Sequence, residues 1–316
     1  MNEKIIFMGT STFSLEVLKM LINNKYNVVG VVTQPDRPVG RKKILTPSVV
    51  KSYAIEHNIQ VIQPESIKND NQAIIDLKPD LIVTAAYGQI VPQVVLDAPR
   101  LGCINVHASL LPKYRGGAPV HYAIMNGDEY TGVTVMYMVK KMDAGDIISQ
   151  QKTRIGEQET MSELYDRLSF IGASLLEKTL PSILDGTNER TVQNEEEVVY
   201  SPTISREDEL IDWSSSAMNI YNKVRALNSW PGSYTKYNDK TVKIWAGLIH
   251  DCPNAKVHHA DNLNGQIVKI FKDAIGVKTG DGIYLITELQ VEGKKRMSVK
   301  DYLNGQCMFE VGGCFE

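Results

Sequence analysis

Cysteine is scarce in this chain and widely scattered: Cys103, Cys252, Cys307 and Cys314 are the 4 among 316 residues. That spacing excludes a zinc ribbon, a CxxC redox pair and a disulfide scaffold, and it fits a reducing, cytoplasmic setting. A long apolar run is also missing. The least charged stretch, "LIVTAAYGQIVPQVVL", is broken by Gly88 and Pro92 and is shorter than a membrane span. At the start, "MNEKIIFMGTSTF" places charge early, and Gly9 followed by hydroxyl residues cuts short any signal-peptide core. No membrane association is therefore expected. Neither sign of charge dominates. The 34 Lys and Arg stand against 37 Asp and Glu, a net charge of -3, so no overall basic excess marks a nucleic-acid binder and local patches must be judged separately.

What is present is ordinary for a soluble globular protein, with 43% hydrophobic and 22% charged residues. The chain is too long for one core, and two domains are expected. "IIFM", "VVGVVT", "QVIQP", "LIVTAAYG" and "GCINVH" read as short strands alternating with helices. One helix is expected with Leu15, Leu18 and Ile22 on one face, capped by Ser11 or Thr12, and another over "SVVKSYAIEHN". This pattern predicts an α/β, doubly wound, mostly parallel sheet covered on both faces. "TGVTVMYMV" and "GDIISQQK" read as a hairpin, followed by a long helix ending near Pro181. From Gly186 to about Ser205 periodicity fades into a polar stretch. Beyond it lie a helix and several short strands at turn-rich spacing, the pattern of a small β-barrel of oligonucleotide-binding type.

A dinucleotide site is poorly supported, because only Gly9 stands where GxGxxG needs three glycines, and Asp36 lies in a loop beside two prolines. The stretch "INVHASLLPKYRGGAPV" is more informative. Asn105 and His107 are two apart at the end of a strand, so both point to one face, and ligands of open parallel sheets sit beyond the carboxyl ends. Taken alone, a strand-end cap and a satisfied core histidine explain the pair equally well. The loop "SLLPKYRGGAP" has the glycines and prolines of a fixed irregular shape, and Asp143 in the hairpin loop is placed to reach the same crevice. An amide, an imidazole and a carboxylate, with neither a Ser or Cys nucleophile nor a metal cluster, suit direct transfer through a tetrahedral intermediate.

"NVHASLLPKYRGGAP" and "MDAGD" resemble the folate-dependent formyltransferases. The likeness runs over essentially the whole chain, through "FMGTSTFSLEVL", "TQPDRPVGRKKILTPS", "AAYGQIVP", "IDWSSSA" and "NSWPGS". The resemblance implies a Rossmann-like formyltransferase domain over 1–189, a linker over 190–206 and a tRNA-binding β-barrel over 207–316. It implies 10-formyltetrahydrofolate as a donor co-substrate consumed at each turnover, with no tightly bound cofactor and no metal. The acceptor it implies is the amino group of methionyl initiator tRNA.

Carried over by position, Asn105, His107 and Asp143 are catalytic, and Ser109, Leu110, Leu111 and Pro112 form part of the folate site. Arg37, Arg41, Lys42 and Lys43 cluster around Gly40. Composition alone favours a solvated loop there, but the resemblance makes it a contact to the acceptor end of the tRNA, with Arg41 foremost. Lys294, Lys295 and Arg296 are candidates for RNA-backbone contacts, and a charged hairpin tip explains them equally well. Ala108, Ser229 and Lys140 depart from residues usual in the family without removing a reacting group.

Overall fold

The apolar runs assemble as buried strands in the computed structural model, which describes residues 2–40, 42–250, 263–305 and 307–316. Arg41 and Cys252 lie outside the described residues. The chain divides into two units. One comprises Met1–Pro119, Tyr130–Arg154 and Tyr165–Pro202, and the other Val120–Glu129, Ile155–Leu164 and Thr203–Glu316.

In chain order the elements up to residue 200 are β1 (Ile5–Gly9), α1 (Thr12–Asn23), β2 (Val28–Val32), β3 (Arg37–Val39), β4 (Ile44–Thr46), α2 (Val49–Glu56), β5 (Val61–Ile62), α3 (Gln72–Asp76), β6 (Leu81–Ala85), α4 (Gln93–Leu96), β7 (Cys103–His107), β8 (Lys113–Arg115), α5 (Pro119–Met125), β9 (Tyr130–Tyr137), β10 (Ile147–Arg154), α6 (Met161–Asp185) and β11 (Val199–Tyr200). The main sheet of the first unit runs β10, β9, β7, β6, β1, β2, β5. It is parallel from β5 to β7, while β9 is antiparallel to β7 and β10 to β9.

Every residue of β1 and β6 is buried, which is why these strands read as continuous apolar runs with no alternation. On one face Ile6, Met8, Ile82 and Cys103 pack with Ile67, Ile74, Val91 and Val95. On the other, α6 rests directly on the sheet at Gly172, where a β-carbon would stand 3.0 Å from Val106 and 3.2 Å from Phe13. Each fully buried Ile, Val or Met contributes roughly 1.5–3 kcal/mol.

Two local expectations are corrected. The buried residues of α1 are Phe13, Ser14, Val17, Leu18, Met20 and Leu21, so the helix is turned relative to the face expected from Leu15, Leu18 and Ile22. Helix α6 passes through Pro181 and ends at Asp185. Pro181 lies on the exposed side, where water can take over the carbonyl that the missing N–H would have bonded.

In the second unit, α7 (Ala217–Ala226), β12 (Ser233–Tyr237), β13 (Lys240–Ile249), β14 (Ile267–Ile270), β15 (Ile275–Lys278), β16 (Ile283–Val291), β17 (Met297–Ser298) and α8 (Val299–Leu303) follow in order. The antiparallel sheet runs β12, β13, β16, β15, β14, with β17 paired to β16. The last residues of the chain bridge its two edges. Ile267 donates to the Gly313 carbonyl and Phe315 to that of Gly265 on the β14 side, while Lys236 of β12 and Glu316 exchange both backbone bonds. This closure removes the exposed edges that an open sheet would present, and it covers a core containing Trp213, Ile244, Tyr284, Phe309 and Phe315.

Candidate active site

Three strands of the first unit bring their carboxyl ends together at one end of the sheet. Thr10, just after β1, donates its hydroxyl to the Tyr87 carbonyl at 2.9 Å, and Ser14 donates to Ala85 at 2.6 Å. Gln34, beyond β2, also donates to Tyr87, at 3.2 Å. These bonds tie together the loops at the point where the sheet order reverses, between β1 and its neighbours β2 and β6. Open α/β sheets bind their ligands at such a point.

Strand β7 brings Asn105 and His107 to this end on one face, as period-2 alternation requires. His107 is only 6% exposed. Its Nε2 lies 2.9 Å from the Tyr114 carbonyl oxygen. A carbonyl only accepts, so Nε2 carries the hydrogen and, in the neutral ring, Nδ1 keeps its lone pair. That Nδ1 faces Asp143 Oδ2 at 3.8 Å. The Asp143 carboxylate is fixed in turn by the Gly116 N–H, 2.9 Å from Oδ2. The side-chain oxygen of Asn105 is buried and finds no hydrogen-bond partner among the described residues, as does the hydroxyl of Thr84, its neighbour on β6. A buried acceptor without a partner costs about 1–3 kcal/mol.

The loop after β7 is held firmly. Thr134 donates to the Ser109 carbonyl at 2.7 Å, Leu111 N–H donates to the Thr134 hydroxyl at 3.2 Å, and Gln150 donates to both Leu111 O and Thr134 Oγ1 at 2.9 Å. Ser109 and Leu111 are buried, whereas Leu110 and Pro112 are partly exposed. Cys103, at the far end of β7, is no nucleophile. Burial, reinforced by Asp97, pushes its thiol up to about 12.

Of the residues sequence reasoning singled out, the structure sets His107 against Asp143 and places Asn105 two residues before His107 on β7. Sequence reasoning missed the residues behind them. Arg115 is fully buried and pairs with Glu195 at 2.9 Å, which also reaches Lys141 at 2.6 Å. Hydrogen bonds from Arg115 and then Lys141 hold the Glu195 carboxyl at about 2, below its usual 4.5. Because the folded value is the lower one, the pair's contribution to stability is complete above pH 4.5 and is lost as pH falls toward 2. Acid titration of unfolding should therefore lose part of its dependence in that window in Glu195→Gln. An unchanged acid limb would contradict the pairing.

The basic loop is an exposed antiparallel hairpin of β3 and β4. Arg37 pairs with Glu65 at 2.9 Å, Lys42 and Lys43 are exposed near the turn, and Val39, Ile44 and Leu45 are exposed beside them. In the second unit Lys294 sits over Tyr302 and Lys295 is exposed. Arg296 grips Glu288 through two nitrogens at 2.7 and 2.6 Å and lies over the Trp245 ring. Its guanidinium is thus committed within the protein, which favours the hairpin-tip reading for that residue.

Among the described residues no three His, Cys, Asp or Glu side chains are grouped to hold a metal, and no helix is long and apolar enough to cross a membrane. Fold and site together define an α/β protein that sets an amide, an imidazole and a carboxylate at the carboxyl end of a mostly parallel sheet. Residues 3–180 match the family model for formyl transferase, and residues 203–307 match that for the formyl transferase C-terminal domain. The chain belongs to the formyl transferase family. A relative named methionyl-tRNA formyltransferase, from Staphylococcus epidermidis, is 52% identical over 96% of this chain and 96% of its own. An N-formyltransferase from Helicobacter canadensis, solved in complex with folinic acid and dTDP-3-aminofucose, superimposes with a TM-score of 0.68 at 20% identity, covering 94% of this chain and 100% of that one. HypX from Aquifex aeolicus in complex with tetrahydrofolic acid gives 0.65 at 19% identity, over 96% of this chain and 47% of that one.

Proposed function

We propose that this chain transfers the formyl group of 10-formyltetrahydrofolate to the amino group of methionyl initiator tRNA in the cytoplasm, giving N-formylmethionyl-tRNA for translation initiation. The observation that supports the chemistry is His107 facing Asp143 at 3.8 Å, with Asn105 two residues before it on β7 and its side-chain oxygen buried without a hydrogen-bond partner among the described residues. The acceptor is carried by relatives more than half identical over nearly the whole chain.

The amine attacks the formyl carbon, forming a C–N bond and a tetrahedral oxyanion. Asn105 donates its amide N–H to that oxygen, and its free Oδ1 is available to accept from the incoming amine. Once its Nδ1 is protonated, His107 shares in stabilising the oxyanion. Its Nδ1 takes the proton the amine must lose and returns it to the folate nitrogen as the old C–N bond breaks, while Asp143 assists by orienting the ring. An α-amino group has a pKa of about 7.7–8.0, lowered further by the neighbouring ester, so a useful neutral fraction exists at physiological pH. The burden falls on positioning and on the oxyanion. Ser109, Leu110, Leu111 and Pro112, held from beneath by Thr134 and Gln150, form part of the folate wall.

Residues 1–189, with the stretch to Pro202 that packs back on them, serve as the catalytic domain, and 207–316 as the tRNA-binding domain. Arg37, Arg41, Lys42 and Lys43 engage the acceptor end of the tRNA, and Lys294 and Lys295 lie toward its backbone. Arg41→Ala should mainly raise the concentration of charged tRNA needed, with little change at saturation, and should flatten the dependence on salt. Identical kinetics across acceptor concentrations would remove the hairpin from the reading. The proposal itself is tested by stoichiometry. One tetrahydrofolate should appear per formylmethionyl ester, whereas donor loss without that ester would mark a hydrolase.

A further inference from the structure

Three consecutive residues at β8 organise the whole site. The Tyr114 carbonyl accepts from His107, the Gly116 N–H donates to Asp143, and between them the Arg115 side chain turns inward to Gln193. Gln193 belongs to the polar stretch expected as a linker, yet it is buried. Its side-chain oxygen accepts from Arg115 Nε at 3.0 Å and Nη2 at 2.9 Å. Its nitrogen donates to the Asp143 carbonyl at 2.8 Å and to the Gly145 carbonyl at 2.7 Å.

Both ends of this amide are thereby specified. Turned over, it would set its oxygen against two carbonyls and its N–H groups against a guanidinium. The loop it grips needs such a hold, because Asp143 adopts a φ of +50°, a conformation that costs a residue with a side chain about 1 kcal/mol or more. Two bonds to the backbone on either side of Ala144, together with the Gly116 N–H on the carboxylate, keep Asp143 turned toward His107.

We infer that Gln193, oriented by the buried Arg115, is a positioning residue for formyl transfer, pinning the Asp143 loop so that its carboxylate faces the His107 ring. This rests on the reading of Asp143 in the proposed function. Gln193 touches no reacting atom, so its effect must pass through Asp143.

Two variants remove the donors differently. Gln193→Glu keeps the shape and strengthens the link to Arg115 but sets oxygens against the two carbonyls. Gln193→Met removes the donors without adding charge. Each is made alone and together with Asp143→Asn, and kcat, KM for both substrates and the melting temperature are measured. Misplacing a catalytic group is worth about tenfold to a hundredfold in rate, so both single variants should lose that much in kcat with KM for donor and acceptor little changed. Neither should lose more when Asp143 is already Asn. A purely structural role would instead multiply the two losses.

Normal kcat in both Gln193 variants, or an undiminished loss in the Asp143→Asn background, overturns the inference. Full activity of Asp143→Asn by itself overturns the reading of Asp143, and the inference falls with it.

Discussion

His107→Ala and Asn105→Ala each lower single-turnover formyl transfer by roughly a hundredfold to a thousandfold, the range for loss of one oxyanion donor or one general base, while methionyl-tRNA still binds. The two losses have different origins. In the proposed mechanism Asn105 supplies a hydrogen bond worth most in the tetrahedral state, so its removal should lower kcat and leave KM nearly unchanged. His107 also anchors the following loop through the Tyr114 carbonyl, so its removal loosens β8 as well as deleting the proton acceptor. Rapid-quench measurement with saturating donor separates chemistry from binding. Near-normal rates in both variants would remove the strand-end pair from the mechanism.

Gly145→Ala has the second-largest expected effect, on a residue that has no reactive group. A β-carbon on Gly145 would stand 1.9 Å from the Tyr137 carbonyl oxygen and 2.8 Å from its carbon. Tyr137 closes strand β9, so the obstacle is sheet backbone rather than the tip of a flexible side chain. The loop must move instead, carrying Asp143 two residues away and breaking the Gln193 bonds. Overpacking of this kind costs about 1–3 kcal/mol, and a misplaced carboxylate costs up to a further hundredfold in rate. Calorimetry and transfer assays on one preparation should show both losses. A variant with unaltered melting and activity would show that the loop accommodates the methyl group without shifting Asp143.

Much of this site was legible because it rests on local periodicity. A buried parallel strand betrays itself as an apolar run, and its last two same-facing polar residues stand out against it. Spacing thus singles out Asn105 and His107 while leaving a strand-end cap and a core histidine equally good, and the family resemblance is what gave them a role. Asp143 was legible only in company with them, since a lone acidic residue in a loop carries no such pattern. Arg115 and Gln193 were not legible. They lie 78 positions apart, in stretches without hydrophobic period, and a fully buried arginine contradicts what its residue type ordinarily does. Pairing with Gln193 and Glu195 is what lets Arg115 stay inside. The β3–β4 hairpin was hidden for a similar reason. Pro38 and the surrounding basic residues weaken any strand signal, and an exposed two-stranded ribbon shows no buried face.

The most direct test is acceptor choice. Labelled formyl from 10-formyltetrahydrofolate is offered to methionyl initiator tRNA, to the same tRNA uncharged and to a UDP-aminosugar, all in parallel. Label on the charged tRNA alone is the predicted result. Label on the sugar, or donor consumed with the charged tRNA unlabelled, would contradict the account by separating this catalytic site from the tRNA acceptor.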